Sequence, residues 1–367
     1  MEDLSDAERS RRGLLSPTPG RPPFFSVVVT AYRRRNYLRG AVQSVLDQTA
    51  PRSEFEVIVV KDFADPEIDP WLAGLGPAVR SVTEDLPLVG QMLARGVDLA
   101  RGEVVCFLDD DDRFRPEKLV GLLALFRGDP TLGLVRNSYR AIDPDGRELP
   151  SWERFRPQAP TSATWGPGRG RVSFPWLHRY GGYVNISTMA IRTSVARRWL
   201  PWLSRVPAST DVVLFTLALA SDVGVRVERA RLSEYRVHAS TSHPAIAEPA
   251  APPDLREFHR SFESTQLLRA AVASAPGHPA AARLSESWRL ETTTVVFLLD
   301  PNARLSPADW VRLGISALRR RQAYLVTIWF YCIYRWIAPA RATRAYRARR
   351  HGELQRTAAT AAPVGQP

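Results

Sequence analysis

Short apolar runs alternate with amphipathic segments through the first half of the chain, and this pattern predicts alternating strands and helices. The apolar runs predict buried strands over Phe24–Val29, Phe55–Val60, Val79–Val82 and Val104–Leu108. Apolar residues recur at helical spacing over Tyr37–Gln48 and Val89–Ala100, and Pro116 is expected to open a further helix. This order predicts βαβ units and a mostly parallel sheet, whose ligands bind beyond the carboxyl ends of the strands.

The second half is less regular. We expect strands over Leu134–Ile142, Asn185–Arg192, Val225–Val227 and Ser233–Val237, and helices over Thr193–Leu203 and Asp211–Ala220. The segment 152–182 is rich in Gly, Pro, Arg and Trp, which predicts a long loop. Its tryptophans Trp152, Trp165 and Trp176 are compatible with an aromatic floor for an acceptor and equally with ordinary burial. After an Ala- and Pro-rich linker at 244–253 the pattern is helical to about residue 350.

These changes in composition predict the domain organisation. We expect a disordered tail over 1–22, a catalytic domain over 23–245, a helical extension over 246–352 and a disordered tail over 353–367. The N-terminal segment lacks the apolar stretch of a signal peptide. The two cysteines, Cys106 and Cys332, each lie in an apolar run, so a disulfide framework is not expected. A cytoplasmic protein fits these features.

The chain carries a net charge of +12, almost all of it from arginine, since Lys61 and Lys118 are its lysines. A general preference for arginine codons would explain part of this charge. The rest indicates attraction for anionic partners. Among these we expect nucleotide phosphates and an anionic membrane surface, and no nucleic acid.

Four consecutive aspartates, Asp109–Asp112, follow the run Val104–Leu108 directly. A solvated acidic turn is one interpretation, since charge runs usually lie at the surface. The preceding strand, however, directs the run to the edge where such sheets bind ligands. Crowded carboxylates repel each other unless a cation joins them, and Mg²⁺ and Mn²⁺ bind carboxylates together with substrate phosphates. The run therefore favours a divalent-metal site for a diphosphate.

Several motifs in a fixed order connect this run to a known family. They are Ser-Val-Val-Val-Thr-Ala-Tyr at 26–32, Ser-Val-Leu-Asp-Gln-Thr at 44–49, Val-Ile-Val-Val-Lys-Asp at 57–62 and Leu-Ala-Arg-Gly-Glu-Val-Val-Cys-Phe-Leu-Asp-Asp-Asp-Asp at 99–112. Together they resemble the family 2 glycosyltransferases of the GT-A fold. The resemblance implies an α/β fold of GT-A type: a Rossmann-like, mostly parallel sheet flanked by helices, here with a helical C-terminal extension. It also implies inverting transfer of a sugar from a nucleotide-sugar, with UDP favoured, to an acceptor hydroxyl.

The resemblance also implies roles for residues of the donor site. Thr30, Ala31 and Tyr32 would line the nucleoside pocket, and Asp62 would accept a hydrogen bond from the base. Asp111 would be the direct ligand of Mn²⁺ or Mg²⁺. Asp109 would face the ribose or the metal's water, and Asp110, at the variable position of the motif, joins the donor-binding residues.

Downstream, the implied roles concern catalysis and closure over the donor. Asp211 is the candidate base that takes the proton of the acceptor hydroxyl, although an Asp in a first helical turn is also favoured by the helix dipole. His238 is a candidate metal ligand and Arg236 a candidate phosphate contact. Several positions depart from the family pattern. Lys61 replaces the first of two usual aspartates, Phe63-Ala64 replace Gly-Ser, Met92-Leu93-Ala94 replace Ala-Arg-Asn, and Thr210 replaces an acidic residue beside Asp211.

The apolar, Trp- and Tyr-rich segment Ala323–Ile337 is flanked by arginines and is too short to span a bilayer. It predicts either a helix at an anionic membrane surface or one packed on protein. A catalytically idle nucleotide-sugar-binding scaffold at a membrane is therefore the alternative function. A nucleotidyltransferase is disfavoured, since Thr30–Asn36 contains no glycine for a phosphate loop.

Overall fold

A computed structural model describes most of the chain. It covers residues 22–32, 35–150, 152, 158–166, 176–177, 180, 185–238, 255–320, 323–346 and 348–349, and the side chains of 316–328 are not described. The predicted C-terminal tail, the linker 244–253, most of the loop 152–182 and all of the N-terminal tail but residue 22 lie outside these ranges.

The centre of the fold is a nine-stranded sheet in the order β3-β2-β1-β4-β8-β6-β9-β5, with β7 also paired to β9. Its strands are β1 Phe25–Ala31, β2 Phe55–Lys61, β3 Val79–Thr83, β4 Val104–Asp109, β5 Arg113–Phe114, β6 Leu132–Ile142, β7 Ala163–Trp165, β8 Met189–Arg192 and β9 Gly224–Arg236. The first half is parallel, because β1 pairs in parallel with both β2 and β4, and β2 with β3. Antiparallel β8 then lies between β4 and β6, so the whole sheet is mixed.

Helices cover both faces of the sheet and form the C-terminal extension. They are α1 Leu38–Leu46, α2 Ile68–Ala73, α3 Val89–Leu99, α4 Lys118–Gly128, α5 Thr193–Arg198, α6 Leu200–Leu203, α7 Thr210–Leu219, α8 Leu255–Ala273, α9 Pro279–Leu299, α10 Pro307–Arg320 and α11 Ala323–Ile337. Core residues of α1 and α4 pack on one face. Those of α3 and α5 to α9 pack on the other, in what we call the first core cluster.

Helix α3 approaches β1 unusually closely, and Gly96 permits this. A Cβ atom at Gly96 would lie 2.2 Å from Cγ1 of Val28, well inside van der Waals contact. The side-chain hydrogen of glycine therefore sets the distance between this helix and the sheet. The parallel pairing of β1 with both β2 and β4 brings the carboxyl ends of these three strands side by side.

The α/β fold with its helical extension is thus confirmed, with differences in the second half. The segments 225–227 and 233–237 were predicted as separate strands, but residues 225–227 and 233–236 belong to the single strand β9. Its pairing with β6 continues through a register shift between Asn137 and Tyr139. The strand predicted over Asn185–Arg192 is shorter, since Ile186–Thr188 forms a 3₁₀ turn. Part of the predicted loop, Ala163–Trp165, is strand β7.

Candidate active site

The carboxyl ends of β1 and β4 bring predicted donor-site residues together. Thr30 lies opposite Asp109 in the parallel register of the two strands. Its hydroxyl Oγ1 donates to Oδ1 of Asp109 over 3.1 Å, and its carbonyl accepts from the N–H of Asp110 over 3.0 Å. The first aspartates of the run are therefore fixed to β1 by a side-chain and a main-chain contact.

Three carboxylates of the run converge. Oxygen atoms of Asp109, Asp111 and Asp112 all lie within 4.8 Å of one another. Carboxylate oxygens this close repel one another and suit a hard divalent cation, so the donor set fits Mg²⁺ or Mn²⁺.

Both carboxylate oxygens of Asp112 accept hydrogen bonds from distant parts of the chain. Oδ1 accepts from the N–H of Arg236 over 2.8 Å, and Oδ2 accepts from Nδ2 of Asn185. Burial, followed by the charges of Asp111 and Asp109, raises the pKa of Asp112 well above its ordinary value, while hydrogen bonds from Ser187 and Arg236 act in the opposite direction. Asp112 thus shapes the loop, and Asp109 and Asp111 remain as the candidate cation ligands.

His238 lies beside Asp111, as the metal-site prediction requires. Its Nε2 is 3.0 Å from Oδ2 of Asp111, and both residues are buried. The ring of Tyr37 packs near the imidazole, with 5.2 Å between their centroids. The structure thus brings the end of β9 to the acidic run, while metal ligation by His238 stays a prediction.

Arg236 stabilises the acidic run by donating hydrogen bonds to main-chain carbonyls. Its Nε donates to the carbonyl of Asp111 over 2.8 Å, and Nη1 donates to the carbonyls of Asp143 and Pro144 over 2.9 and 2.7 Å. The guanidinium also lies 4.5 Å from the centroid of the Tyr37 ring. These contacts join the acidic run to the turn after β6, and the predicted phosphate contact of Arg236 is untested.

The buried Lys118 is linked to the acidic run through Ser187, and the sequence predicted no role for it. Nζ of Lys118 donates to the carbonyl of Ser187 over 2.6 Å and to Oγ of Ser233 over 2.9 Å. The hydroxyl of Ser187 in turn accepts from the N–H of Asp109 over 2.9 Å. Burial lowers the pKa of Lys118 to about 7. Lysine is rare in this chain, which has one other, and this rarity is the feature of the sequence that could have drawn attention to Lys118.

The other lysine, Lys61, explains one departure from the family pattern. It is buried at the end of β2, where Nζ lies 2.7 Å from Oδ1 of Asp69 and donates to Oγ1 of Thr83 over 2.6 Å. The cation therefore joins β2, β3 and α2. Asp62, the predicted base contact, follows it, and the Asp62 N–H points to the carbonyl of Ala31 at 3.4 Å. Tyr32 packs against the first core cluster. The nucleoside-binding roles of these residues stay predictions.

Asp211 lies in the first turn of α7, where it is half-buried. Ser209 precedes the helix in the left-handed region, with φ of 55°. Soon after α7 ends, the N–H of Gly224 donates to the carbonyl of Thr131, just before β6 begins. The opposite, N-terminal end of α7 therefore points toward the sheet edge that carries Asp109. Asp211 lies on the side of the site where the structure has β6 and β9.

The predicted aromatic loop is partly described. Trp152 and Trp165 are buried in the first core cluster, and Trp176 packs against it. The ring centroids of Trp165 and Trp176 are 5.2 Å apart. These rings form a wall beside β9, and acceptor binding by them stays a prediction.

Comparison with known proteins identifies the chain. Residues 26–182 match the profile of glycosyl transferase family 2. This match assigns residues 26–182 to glycosyl transferase family 2. The chain is similar to the hyaluronan synthase of Pasteurella multocida, with 29% identity over 149 residues, which cover 39% of this chain and 15% of that protein. It is also similar to an uncharacterised glycosyltransferase of Nostoc sp., with 24% identity over 60% of this chain and 67% of that protein.

The fold of the whole chain has a counterpart among solved structures. Residues 1–349 of S. aureus TarS in complex with UDP-GlcNAc superpose with a TM-score of 0.55 at 17% identity, over 91% of this chain and 92% of that one. The superposition includes most of the helical extension. Among the helices that the structure describes, none is long and apolar enough to cross a membrane.

Proposed function

We propose that this chain transfers a sugar from a nucleoside-diphosphate sugar, with UDP favoured, to an acceptor hydroxyl with inversion, assisted by Mn²⁺ or Mg²⁺. The carboxylates of Asp109 and Asp111, converging at the carboxyl end of β4, are the observation that carries this proposal. The TarS structure that resembles this chain was solved with UDP-GlcNAc, which supports the UDP donor. The similarity to a hyaluronan synthase favours an acceptor in polysaccharide synthesis, such as a growing glycan or a lipid-linked intermediate.

Asp109 and Asp111 would hold the divalent cation, with His238 as a further candidate ligand. Such an ion neutralises the negative charge that develops on the leaving diphosphate. The protein's own contribution is rigidity, because Thr30, Asp112 and Arg236 fix the loop that carries the two ligands. A fixed loop orients the diphosphate without reorganisation during the reaction.

Asp211 is proposed as the general base. A carboxylate near the acceptor hydroxyl accepts its proton as the oxygen attacks the anomeric carbon. One direct displacement of this kind inverts the configuration at that carbon. Thr210 replaces the usual acidic neighbour, so Asp211 would act without it.

Donor turnover in the presence of Mn²⁺, measured across a panel of nucleotide-sugars, tests the proposal. We expect Asp111→Ala to lose donor binding, and Asp211→Asn to bind donor normally while transfer falls about 100-fold. Asp222→Asn is the matched control, since Asp222 lies beyond the other end of α7 and its side chain is 84% exposed. Donor binding without hydrolysis or transfer by the wild type would instead support the catalytically idle scaffold.

We also propose that the enzyme lies peripherally at the inner face of the cell membrane. Apolar side chains are exposed on α11 and α10: Phe330 60%, Trp336 80%, Ile337 70%, Val311 61% and Ile315 42%. The exposed arginines Arg341, Arg344 and Arg349 follow α11 in sequence. Exposed aromatic rings beside arginines favour the interface of an anionic bilayer.

A further inference from the structure

Arg136, in the middle of β6, is among the largest fully buried side chains that the structure describes. It lies opposite Met189 of β8 and beside Val227 of β9, in regular register with both. Paired residues of neighbouring strands share a face of the sheet, and Met189 and Val227 both belong to the first core cluster. The guanidinium therefore lies on the apolar face that α7 covers.

The described residues leave this cation without full pairing. Nε and Nη1 of Arg136 are buried and have no hydrogen-bond partner among them. Burial lowers the pKa of Arg136 to about 10, so the group remains charged at neutral pH. Buried guanidinium groups are normally paired, because an unpaired buried charge is costly. Other buried arginines have strong partners: Arg236 binds carbonyls and Arg289 binds Asp309, and Arg335, which also has an unpaired Nη1, donates through Nη2 to the carbonyl of Asp300.

A second unpartnered donor lies on the same face. Trp165 of β7 pairs with Val225 of β9, and its buried Nε1 has no partner among the described residues. Val225 and Val227 are two residues apart, so their side chains point to the same side of the sheet. Arg136 on β6 and Trp165 on β7 thus direct buried N–H groups to one side of the sheet, from the two strands that flank β9. Such donors indicate a place for acceptor oxygens.

This place belongs to the acceptor side of the site. Strand β8 separates β6 from β4, which sets Arg136 two strands, or about 10 Å, from the strand that ends in Asp109. Helix α7 is about 15 Å long, and its C-terminal end lies near Thr131, so its first turn is about 15 Å from there. Along β6, the distance from Leu132 to Arg136 is about 13 Å. The first turn of α7, with Asp211, is therefore near the level of Arg136.

We propose that Arg136 anchors a subsite for an anionic group, a carboxylate or a phosphate, carried by the acceptor. This inference rests on the proposed sugar transfer and specifies its acceptor as an acidic saccharide or a phosphate-bearing polyol. The unpartnered Nε and Nη1 of the guanidinium can donate charge-assisted hydrogen bonds to the oxygens of such a group, which a neutral acceptor cannot replace. Because the guanidinium is covered, the anion must displace part of this cover when it binds.

Binding is tested by thermal unfolding of the full chain with sodium glucuronate, glycerol 3-phosphate or glucose at equal ionic strength. We expect one of the two anions, and not glucose, to raise the Tm of the wild type. The anion that raises the Tm more shows whether the subsite takes a carboxylate or a phosphate. Arg136→Met should abolish this rise, and Arg136→Lys should keep part of it. Arg140→Met is the control, because Arg140 lies on the same strand and pairs with Glu148.

Transfer to p-nitrophenyl β-D-glucuronide and to the matching glucoside gives the second readout. We expect Arg136→Lys to raise the acceptor KM for the glucuronide about tenfold, with the donor KM unchanged. Glycerol 3-phosphate is assayed in the same way. A raised donor KM would assign Arg136 to the diphosphate and overturn the proposal, as would an unchanged anion response in Arg136→Lys and Arg136→Met. If no donor is turned over, the proposed function fails, but the thermal experiment still decides whether the anion subsite exists.

Discussion

Nε2 of His238 lies 3.0 Å from Oδ2 of Asp111, although 127 residues separate them in the chain. The contact joins the segment after β9 to the acidic loop after β4. It fixes the orientation of the Asp111 carboxylate, on which the candidate cation site depends. A residue that orients a metal ligand in this way affects metal affinity even when it does not bind the ion itself.

Replacing His238 by alanine should therefore weaken metal binding. We expect the Mn²⁺ concentration for half-maximal donor turnover to rise about 10- to 100-fold. His259→Ala is the matched control, because His259 also lies 3.0 Å from an aspartate, Asp300, but belongs to the C-terminal helices. Equal Mn²⁺ dependence in all three proteins would contradict the role of His238.

Adding a methyl group at Gly96 should destabilise the domain. The new Cβ would meet Val28 at 2.2 Å, and overpacking of this kind costs about 1–3 kcal/mol. Gly40→Ala is the control within another helix, where no atom lies within 4 Å of the added Cβ, and it should stabilise by up to about 1 kcal/mol. Urea unfolding measures both changes. Similar effects of the two substitutions would show that α3 can move away from β1.

Lys118 should make stability depend on pH above neutrality. Its pKa falls from 10.5 to about 7 on folding because the amine is buried. Between these values the unfolded chain binds the extra proton, so this residue's contribution to stability rises with pH; below about 7 both states are protonated and the contribution is constant.

The comparison with Lys118→Met isolates this effect. From pH 7 to 9 the wild type should gain stability relative to the variant, by at most about 1.4 kcal/mol per pH unit. Urea unfolding of both proteins at pH 6, 7, 8 and 9 measures the difference. If the free energies of unfolding of the two proteins differed by the same amount at every pH, the Lys118 amine would have the same pKa in the folded and unfolded states.

Membrane binding should depend on the apolar side chains exposed on α11. The double substitution Trp336→Ser and Ile337→Ser removes the two most exposed of them, and we expect co-sedimentation with phosphatidylglycerol-containing vesicles to fall about tenfold. Val120→Ser is the control, because Val120 is also exposed, at 43%, but lies on α4. Equal binding by wild type and double variant would exclude this surface as the membrane contact.

The sequence predicted the donor side of the fold well because local patterns of apolar residues determine the strands and helices there. Strands β1 to β4 and helices α1 and α3 appear within two residues of their predicted ends, since each shows a clear apolar period. The aspartates also lie at the predicted sheet edge. The domain boundaries and the roles assigned to Asp62, Asp211 and Arg236 stay predictions.

The rest depends on contacts that no periodicity reveals. Arg136 and Lys118 are buried charges in otherwise apolar segments, and a pattern of apolar and polar positions assigns such residues to the surface. The partners of Asp112, Asn185 and Arg236, lie 73 and 124 residues away in the chain, so no local pattern indicates them. The length of β9 likewise follows from pairing with β6 and not from its own sequence.

The long separation between Asp112 and Arg236 has a consequence for biosynthesis. A chain made from its N-terminus can pair β1, β2 and β4 while β9 is still untranslated. The loop that carries Asp109 and Asp111 then lacks the clamp that Arg236 supplies. Nascent or truncated chains would therefore expose the aspartates without a finished cation site, and activity would begin when the whole domain has folded.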